Sequence, residues 1–444
     1  MILVGCDHRE ERSIAIVTAG LARAAPALSA EIDREKMRCT SGGWGHLTIV
    51  EGKVNRSRDF DEFGGYAREA NTTGGLGGEL VLVTTTADYD PKVNESVIPG
   101  TLRAAVEKAA SQHTAVWIVF APELGPAAIV TLKRALKLPD NITLDGSCAD
   151  VTLQSRSNVG LIDIYGTKNV IVERLRFRKT DYRPSAEEGD TKSAIRLNGA
   201  FDRIEIIHND LAACGDGCID ITTSPHASLP SLARVSVEFN RISDHDKTML
   251  FGNFTCNDVG LKPCDQTYID THINTPPVFF LTLHGNLFLR SAQRHPRVFG
   301  YAMAHVVNNV MALAPLRRAD GTYSDLSGVF VADDARALVE ANLFAPQWRE
   351  RMAPRGFQAV WTTTTPGAEA MPGDGEGFIR VRRNVVTARS IVAESHPERV
   401  ADPSYETHMV ILPFELMAPE QVVACIAARA GPAGGRDWDR SLCN

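Results

Sequence analysis

Short runs of β-branched and aromatic residues recur along most of this chain, and turn residues separate them. The clearest runs lie at residues 117–120, 141–144, 169–172, 203–207, 234–238, 278–283, 304–307, 337–340 and 378–381. Runs of this length and composition predict β-strands. Asn-Gly hairpin signals are scarce between them, which disfavours the competing architecture, a sandwich of antiparallel hairpins.

Asparagine follows many of these runs, with a large apolar residue one or two places further on. The cases are Asn209, Asn240, Asn286, Asn309 and Asn342, which are separated by steps of 31, 46, 23 and 33 residues. The irregular steps are consistent with a base coil of roughly two dozen residues plus insertions, which is typical of a parallel β-helix. Asparagines stacked at a bend hydrogen-bond to each other and to the backbone. The pattern therefore predicts an all-β parallel β-helix.

The sequence outside these runs predicts the domain boundaries, two helices and a long loop. We expect residues 1–58 to form an N-terminal extension and residues 59–444 to form a single parallel β-helix domain, with a C-terminal loop and helix packing on it. Residues 101–109 have the apolar spacing of a short helix, and residues 419–429 begin with proline and precede a glycine, which also predicts a helix. Residues 345–375 are rich in Pro, Gly and Thr and predict a long loop.

The extension contains a candidate targeting segment. Residues 14–30 are apolar and rich in small residues, with Ala27 and Ser29 as the small residues of a cleavage site. Arg23 and the acidic residues before the segment weaken the match. We expect a secreted protein, extracellular or periplasmic. No other segment is long and apolar enough to span a membrane, and we expect no membrane partner.

Charge and cysteine content narrow the class of protein. The formal net charge is −7, which gives no basic footprint for nucleic acid. Of nine cysteines, Cys256 with Cys264 and Cys425 with Cys443 are spaced as disulfides that close short segments, which suits an oxidising compartment. The alternative is that these are free, buried thiols. We expect a monomer.

Two aspartates offer a candidate metal site. Asp216 and Asp220 are four residues apart, and on an extended strand that spacing places both carboxylates on the same side. Hard oxygen ligands on one face suit Ca²⁺, and Asp190 in the preceding coil offers a third carboxylate. The alternatives are a solvated acidic edge, or a turn capped by Asp220.

Three basic residues follow in the next coils. Lys247 lies beside two aspartates, and Arg294 and Arg297 flank Pro296. Arginine binds carboxylates in bidentate geometry, so the pair suits an acidic substrate. An acidic protein that acts on an acidic polymer needs such local cations or a bridging metal. Taken alone, each of these residues is equally compatible with a structural ion pair.

The chain from about Phe63 to Phe344 resembles the pectate lyase superfamily of polysaccharide lyases. The segments that carry the resemblance occur in the family's order. They are GGYARE (64–69), GGLGG (74–78), PGTLR (99–103), ITLDG (142–146), CGDGCID (214–220), HDKTMLFG (245–252), RHPR (294–297) and HVVNN (305–309).

The resemblance implies a right-handed parallel β-helix with long loop insertions and a short N-terminal capping helix. It implies β-elimination of α-1,4-linked polygalacturonate, with Ca²⁺ bridging the enzyme and the substrate carboxylates. Arg294 falls on the family's catalytic base, and Lys247 falls on a substrate-binding lysine. Asp216 and Asp220 fall on calcium ligands, and Arg297 is expected to bind substrate.

The chain departs from the family pattern in three places. One is the stretch Glu205-Ile206-Ile207-His208, where the family has Trp-Ile-Asp-His. Phe299 stands where the family usually has a further arginine, and Ser193 stands where it usually has an aspartate. These departures leave two alternatives open beside a calcium-dependent pectate lyase. One is a pectin lyase that acts on methyl-esterified substrate without calcium, and the other is a non-catalytic β-helix that binds acidic glycans.

Overall fold

The computed structural model describes most of the chain between residues 46 and 432. The described ranges are 46–57, 64–125, 127–147, 149–184, 191–223, 232–253, 278–300, 302–347, 357–365, 375–387, 390–400, 417 and 419–432. Asp190, Cys256, Cys264, Cys443 and the candidate targeting segment at residues 14–30 lie outside these ranges.

Three sheets run along the molecule, and each coil of the chain adds one strand to each sheet. The strands of the 12-stranded sheet are, in spatial order, β1 (Leu47–Val50), β2 (Lys53–Ser57), β3 (Glu79–Val83), β4 (Val116–Phe120), β7 (Ile142–Asp145), β10 (Lys168–Glu173), β13 (Asp202–Ile207), β16 (Ala233–Glu238), β19 (Phe279–His284), β22 (Ala302–Val307), β25 (Arg336–Glu340) and β28 (Phe378–Arg382).

The second sheet has nine short strands. They are β5 (Ala128–Thr131), β8 (Val151–Ser155), β11 (Arg176–Lys179), β14 (Asp210–Ala212), β17 (Arg241–Ser243), β20 (Leu287–Leu289), β23 (Val310–Ala312), β26 (Leu343–Phe344) and β29 (Val385–Val386).

The third sheet, called the groove sheet below, also has nine strands. They are β6 (Leu136–Lys137), β9 (Ile162–Tyr165), β12 (Ile195–Asn198), β15 (Ile219–Thr223), β18 (Met249–Asn253), β21 (Arg297–Phe299), β24 (Ser327–Val331), β27 (Phe357–Thr362) and β30 (Ser390–Val392).

Every strand pair from β3 onward is parallel, and only β1 with β2 and β2 with β3 pair antiparallel among the described strands. Consecutive strands of one sheet lie one coil apart in sequence, as in β10, β13 and β16. Such a coil of three parallel strands is a parallel β-helix, so the predicted fold class is confirmed. Inward-facing aliphatic and aromatic side chains of all three sheets form one continuous core.

The predicted asparagine stack is present at the corner between the first two sheets. Asn240 Nδ2 donates to Asn286 Oδ1 over 3.1 Å, and Asn286 Nδ2 donates to Asn309 Oδ1 over 3.0 Å. The same side chains also donate to backbone carbonyl groups of neighbouring strands. The stack extends from Asn209 to Asn384, and it satisfies buried polar groups at every turn of the corner.

Helices cover the ends and sides of the β-helix. Helix α1 (Gly65–Glu69) lies on the outer face of the 12-stranded sheet, and α2 (Leu102–Gln112) packs against β3 and β6 at the N-terminal end. Thr101 caps α2, since its hydroxyl accepts from Ala104 N over 3.1 Å. Helix α3 (Pro397–Val400) packs on β28, and α4 (Pro419–Arg429) packs on β23 and β26. Both predicted helices, including the N-terminal capping helix, are confirmed.

One expectation about the irregular parts of the chain is corrected, and two further strands lie in the region predicted as an N-terminal extension. The loop predicted at residues 345–375 contains β27, because its Pro, Gly and Thr content hides a strand sequence, FQAVWT. Residues 1–58 carry no strand pattern in the sequence, yet β1 and β2 extend the 12-stranded sheet. The boundary between residues 58 and 59 stays a prediction, since residues 58–63 lie outside the described part of the chain.

Cysteine pairing is described in part. Cys425 is disulfide-bonded, and its predicted partner Cys443 lies outside the described residues. A disulfide that the sequence analysis did not anticipate joins Cys214 to Cys218, with 4.8 Å between the Cα atoms.

Candidate active site

The predicted site residues that the structure describes, which exclude Asp190, lie on the outer side of the groove sheet in three adjacent coils. Cys218 N donates to Thr248 O over 2.8 Å, and Met249 N donates to Arg294 O over 3.1 Å. Lys247 pairs with Gln293 in an isolated parallel bridge. Neighbouring strands lie about 4.8 Å apart, so the segments that bear the acidic pair, the lysine and the arginines are direct neighbours.

The acidic pair is assembled by a bend and not by an extended strand. Asp220 lies on β15, but Asp216 precedes the strand in a bend that the Cys214–Cys218 disulfide closes. The expectation that both lie on one extended strand is therefore wrong, although the two carboxylates do lie close together. A Cβ at Gly217 would come within 2.3 Å of the Asp220 carboxylate, so a larger residue at this position would displace that carboxylate.

His245 supports the same bend from the next coil. Its Nε2 donates to Asp216 O over 2.6 Å, and its Nδ1 accepts from Cys214 N over 3.2 Å. These two bonds define the tautomer with the proton on Nε2. Burial lowers the pKa of His245 to about 4, so the ring is neutral near pH 7. His245 thus holds both ends of the bend without adding charge.

Asp220 is buried and has two hydrogen-bond donors. Ser193 Oγ donates to Asp220 Oδ2 over 2.6 Å, and Leu250 N donates to Oδ1 over 3.1 Å. Burial nevertheless raises the pKa of Asp220. Burial and the neighbouring Asp220 carboxylate raise the pKa of Asp216 to about 6. The two acids therefore repel each other in a partly dehydrated place.

These residues fit a divalent cation. Each carboxylate oxygen has two acceptor sites, so the donors to Asp220 leave a lone pair on each oxygen for a further ligand. Burial raises the pKa of both carboxylates, and Asp220 further raises that of Asp216. A cation bound beside them would offset both effects, and Ca²⁺ prefers oxygen ligands of this kind. The third candidate ligand, Asp190, lies outside the described residues.

Arg294 lies directly beside the acidic pair. Its backbone has φ +65°, a conformation that is rare for a residue with a side chain and that is found at functional sites. Burial and then the neighbouring Arg297 lower the pKa of Arg294, while Asp220 and Asp216 act in the opposite direction. The neutral form of this guanidinium is thus less costly than in water.

His295 anchors the arginine segment to the next coil. His295 N donates to Gly328 O over 3.0 Å, and its ring contacts Ser291 Oγ at 2.9 Å and Ser327 O at 2.8 Å. The residue is fully buried. The backbone of Arg294 is therefore held in place from the side of the core.

Lys247 and Arg297 complete the predicted set. Lys247 is half-buried, and burial together with Arg294, Arg318 and Arg297 lowers its pKa to about 8. The Arg297 guanidinium carbon lies 5.5 Å from the ring centre of Phe299 and 5.6 Å from that of Phe330. The guanidinium groups of Arg294, Arg297 and Arg318 thus converge on Lys247.

Arg318 belongs to this cluster, and the sequence analysis did not place it at the site. The residue lies in a turn after β23, where Arg318 N donates to Thr322 O over 2.8 Å. Its guanidinium lies 3.6 Å from Asp246 Oδ2, and its side chain is 15% exposed. Two adjacent arginines, Arg317 and Arg318, are the feature of the sequence that could have indicated a substrate-binding residue here. The signal is weak, because they belong to no motif that would predict their position near the site.

An open cleft of about 510 Å³ continues from Asp216 and Asp220 toward the N-terminal end of the groove sheet. Its charged lining comprises four basic residues, Lys133, Arg134, Lys192 and Arg196, and three acidic ones, Asp163, Asp216 and Asp220. Lys133 forms an ion pair with Glu95, and Arg134 forms one with Asp90. Arg196 is exposed, and it pairs with Asp220 in the register of β12 and β15. This arrangement suits an extended, negatively charged ligand.

Solved structures match most of this chain. A pectate lyase (pelN) from Paenibacillus sp. 0602 matches 85% of this chain and 97% of its own, with a TM-score of 0.50 and 13% identity. At that identity the likeness concerns the fold alone. The major cedar pollen allergen jun a 1 matches 74% of this chain and 83% of its own, with a TM-score of 0.49 and 24% identity.

None of the described helices has the length and apolar character needed to cross a membrane.

The curated relatives of this chain and the family model that matches it are all described as pectate lyases. "Pectate lyase 1" of Juniperus ashei is 30% identical over 253 residues, which are 54% of this chain and 58% of the relative. The "Pectate lyase" of Lilium longiflorum is 29% identical over 261 residues, which are 55% of this chain and 50% of the relative. The chain thus spans about half the length of the curated relatives it matches. The family model described as "Pectate lyase" matches residues 53–354, which is more than half of the chain, and the chain therefore belongs to the pectate lyase family.

Proposed function

We propose that this protein is a polysaccharide lyase that cleaves α-1,4-linked polygalacturonate by calcium-assisted β-elimination. One observation carries the proposal. In adjacent coils on one face, an arginine of lowered pKa lies beside two carboxylates and a lysine. The family membership and the similarity to pectate lyases of Juniperus ashei and Lilium longiflorum support the same activity.

The reaction removes a proton that lies α to a carboxylate. Arg294, in its neutral form, takes the proton from C5 of a galacturonate unit. The electron pair of the C5–H bond forms a C4–C5 double bond, and the C4–O bond breaks with its electron pair on the glycosidic oxygen. That oxygen takes up a proton, which water supplies at the open groove. The products are a new chain end and an unsaturated uronide.

The electrostatics of the site favour each part of this step. Burial and Arg297 lower the pKa of Arg294, so its neutral form is accessible at alkaline pH. Negative charge develops on the substrate carboxylate as C5 loses its proton, and fixed cations next to it lower the barrier. Lys247 and Arg297 are the predicted substrate-binding cations, and Arg318 adds a third guanidinium from another loop.

Asp216 and Asp220 would hold the calcium ion, and a bound Ca²⁺ supplies charge stabilisation to a substrate carboxylate. Asp190 remains a proposed third ligand. The hydrogen bond from Ser193 keeps Asp220 oriented toward Asp216, and His245 keeps the Asp216 bend in place. The chain's own residues thereby preorganise the acidic pair.

We also propose that the protein is secreted. The Cys214–Cys218 disulfide and the disulfide-bonded Cys425 are typical of an oxidising compartment. The apolar segment at residues 14–30 is the proposed targeting segment.

The test is the absorbance of the unsaturated uronide product with polygalacturonate as substrate, measured with added Ca²⁺ and with a chelator. A rise that the chelator abolishes is the expected result. A chelator-insensitive rise on fully esterified pectin would instead indicate a pectin lyase. Retained binding without product, in both wild-type protein and Arg294→Lys, would indicate a glycan-binding protein and overturn the proposal.

A further inference from the structure

The outward side chains of the groove sheet change in chemical character along its length. One row in continuous register crosses eight strands, from β6 to β27. Its members are Lys137, Asp163, Arg196, Asp220, Leu250, Arg297, Phe330 and Trp361. The row is charged toward the N-terminal end and aromatic toward the C-terminal end, and Arg297 lies at the junction.

The sequence of the last three strands supports this division. Strands β24, β27 and β30 read SGVFV, FQAVWT and SIV, and they contain no charged residue. Five of the six preceding strands of the sheet, all except β18, contain one. A free carboxylate lying over this end of the sheet would meet no strand cation beyond Arg297.

Phe330 and Trp361 form a stacked pair at this end. Their ring centres are 3.9 Å apart, with an angle of 25° between the planes. Phe330 is 5% exposed, since it lies between Arg297 and Trp361, whereas Trp361 remains partly exposed. In the next coil Ala393 N donates to Val360 O over 2.8 Å, which places Ala393 beside Trp361. The neighbour of the indole on that side is therefore only a methyl group.

The chemistry of these rings selects the ligand. Aromatic faces carry negative electrostatic potential, so they disfavour a free carboxylate and favour apolar groups. The C–H face of a sugar ring and the methyl group of a uronate ester are apolar, and their contact with an indole buries apolar surface. An ester also avoids the cost of dehydrating a charge.

We propose that Trp361, stacked on Phe330, forms a subsite for a methyl-esterified uronate unit, next to the charged subsite at Arg294 and Lys247. The inference rests on the proposed function and specifies its substrate class. The preferred chain carries free carboxylates over the charged part of the groove and an ester over the aromatic part. Phe299 packs against Arg297 and is buried, so it supports the arginine from below and does not contact the ligand.

The experiment compares kcat/KM on polygalacturonate and on partly methyl-esterified pectin for the wild type, Trp361→Ala and Trp361→Phe. We expect Trp361→Ala to lower kcat/KM on the esterified substrate about tenfold, mainly through KM, because one apolar contact is worth about that factor. Activity on polygalacturonate should stay within about twofold by the same reasoning. Trp361→Phe should restore most of the difference. Tyr165→Ala, which removes an exposed aromatic side chain from β9 of the same sheet, is the matched control and should leave the ratio unchanged.

The outcomes separate the subsite from the proposed function. Equal losses of Trp361→Ala on both substrates, or no loss on either, would overturn the subsite while lyase activity stands. If the wild type cleaves neither substrate, the proposed function fails. Affinity electrophoresis in gels that contain the esterified pectin then still tests the subsite. Retardation of the wild type that Trp361→Ala loses supports it, and equal mobility of the two overturns it.

Discussion

Ser193 Oγ donates a hydrogen bond of 2.6 Å to Asp220 Oδ2. Ser193 stands at the position where the family usually has an aspartate. The hydroxyl orients the buried acid without adding negative charge. In Ser193→Ala, Asp220 would lose a hydrogen-bond donor. We expect the free energy of unfolding, measured by urea denaturation, to fall by about 1–3 kcal/mol, the cost of an unsatisfied buried acceptor.

Ser193→Asp should tighten Ca²⁺ binding relative to Ser193→Ala, because it adds a third carboxylate next to the acidic pair. Calorimetric titration of both variants checks this, and an aspartate variant that binds Ca²⁺ more weakly than the alanine variant would contradict it.

Replacement of Arg294 should remove the proposed base. We expect Arg294→Ala to lower kcat on polygalacturonate by at least about a hundredfold, the usual contribution of a general base. Arg290→Ala is the matched control, because Arg290 pairs with Asp244 outside the site and its side chain is 41% exposed. Uronide absorbance measures activity, and circular dichroism checks that both variants fold. Comparable activities of the two variants would exclude Arg294 as the base.

The dependence of kcat and KM on pH should separate two groups. Arg294 acts as a base only when neutral, so kcat should rise with pH on the alkaline side. Lys247, with a pKa of about 8, is charged below that pH and loses its charge above it, so KM should increase above about pH 8. Lys247→Arg keeps its charge and should abolish the increase in KM while kcat still rises. A KM that is constant from pH 7 to 10 in the wild type would argue against substrate binding by Lys247.

Cation stabilisation should depend on pH through Asp216. Its pKa is raised from 3.8 to about 6 in the folded protein, so the folded state binds this proton more tightly than the unfolded chain does. The stability from this group is complete below about pH 3.8 and is lost as the pH rises through about 6. Above that pH a bound cation offsets the repulsion. We expect Ca²⁺ to raise Tm at pH 7.5 and to leave it nearly unchanged at pH 4.5 in thermal scans. Asp216→Asn should show no Ca²⁺ effect at either pH.

Arg318 should contribute to substrate binding although no motif contains it. We expect Arg318→Ala to raise KM for polygalacturonate roughly tenfold, the loss of one charge-assisted contact, with little change in kcat. Arg317→Ala is the matched control, because Arg317 is its exposed neighbour in the same turn. Initial-rate kinetics give both parameters. A KM of the Arg318 variant equal to that of the Arg317 variant would exclude the contact.

The sequence by itself determined nine of the twelve strands of the 12-stranded sheet, the asparagine stack and the two longer helices. The nine apolar runs correspond to β4, β7, β10, β13, β16, β19, β22, β25 and β28, all in that sheet. Many of these strands are buried on both faces, as in β13 and β19, so their sequences are nearly continuous apolar runs. Motif order also indicated the family and the residues of the candidate site.

Only the tertiary structure decided how the site is assembled. Groove-sheet strands are two to six residues long, and several of them carry polar side chains outward, so the apolar pattern did not reveal most of them. The proximity of Asp216 to Asp220 depends on a disulfide-closed bend and on His245 from the next coil. The position of Arg318 depends on how one turn folds back over the sheet. Contacts of this kind join residues from different coils, and no local pattern in the sequence encodes them.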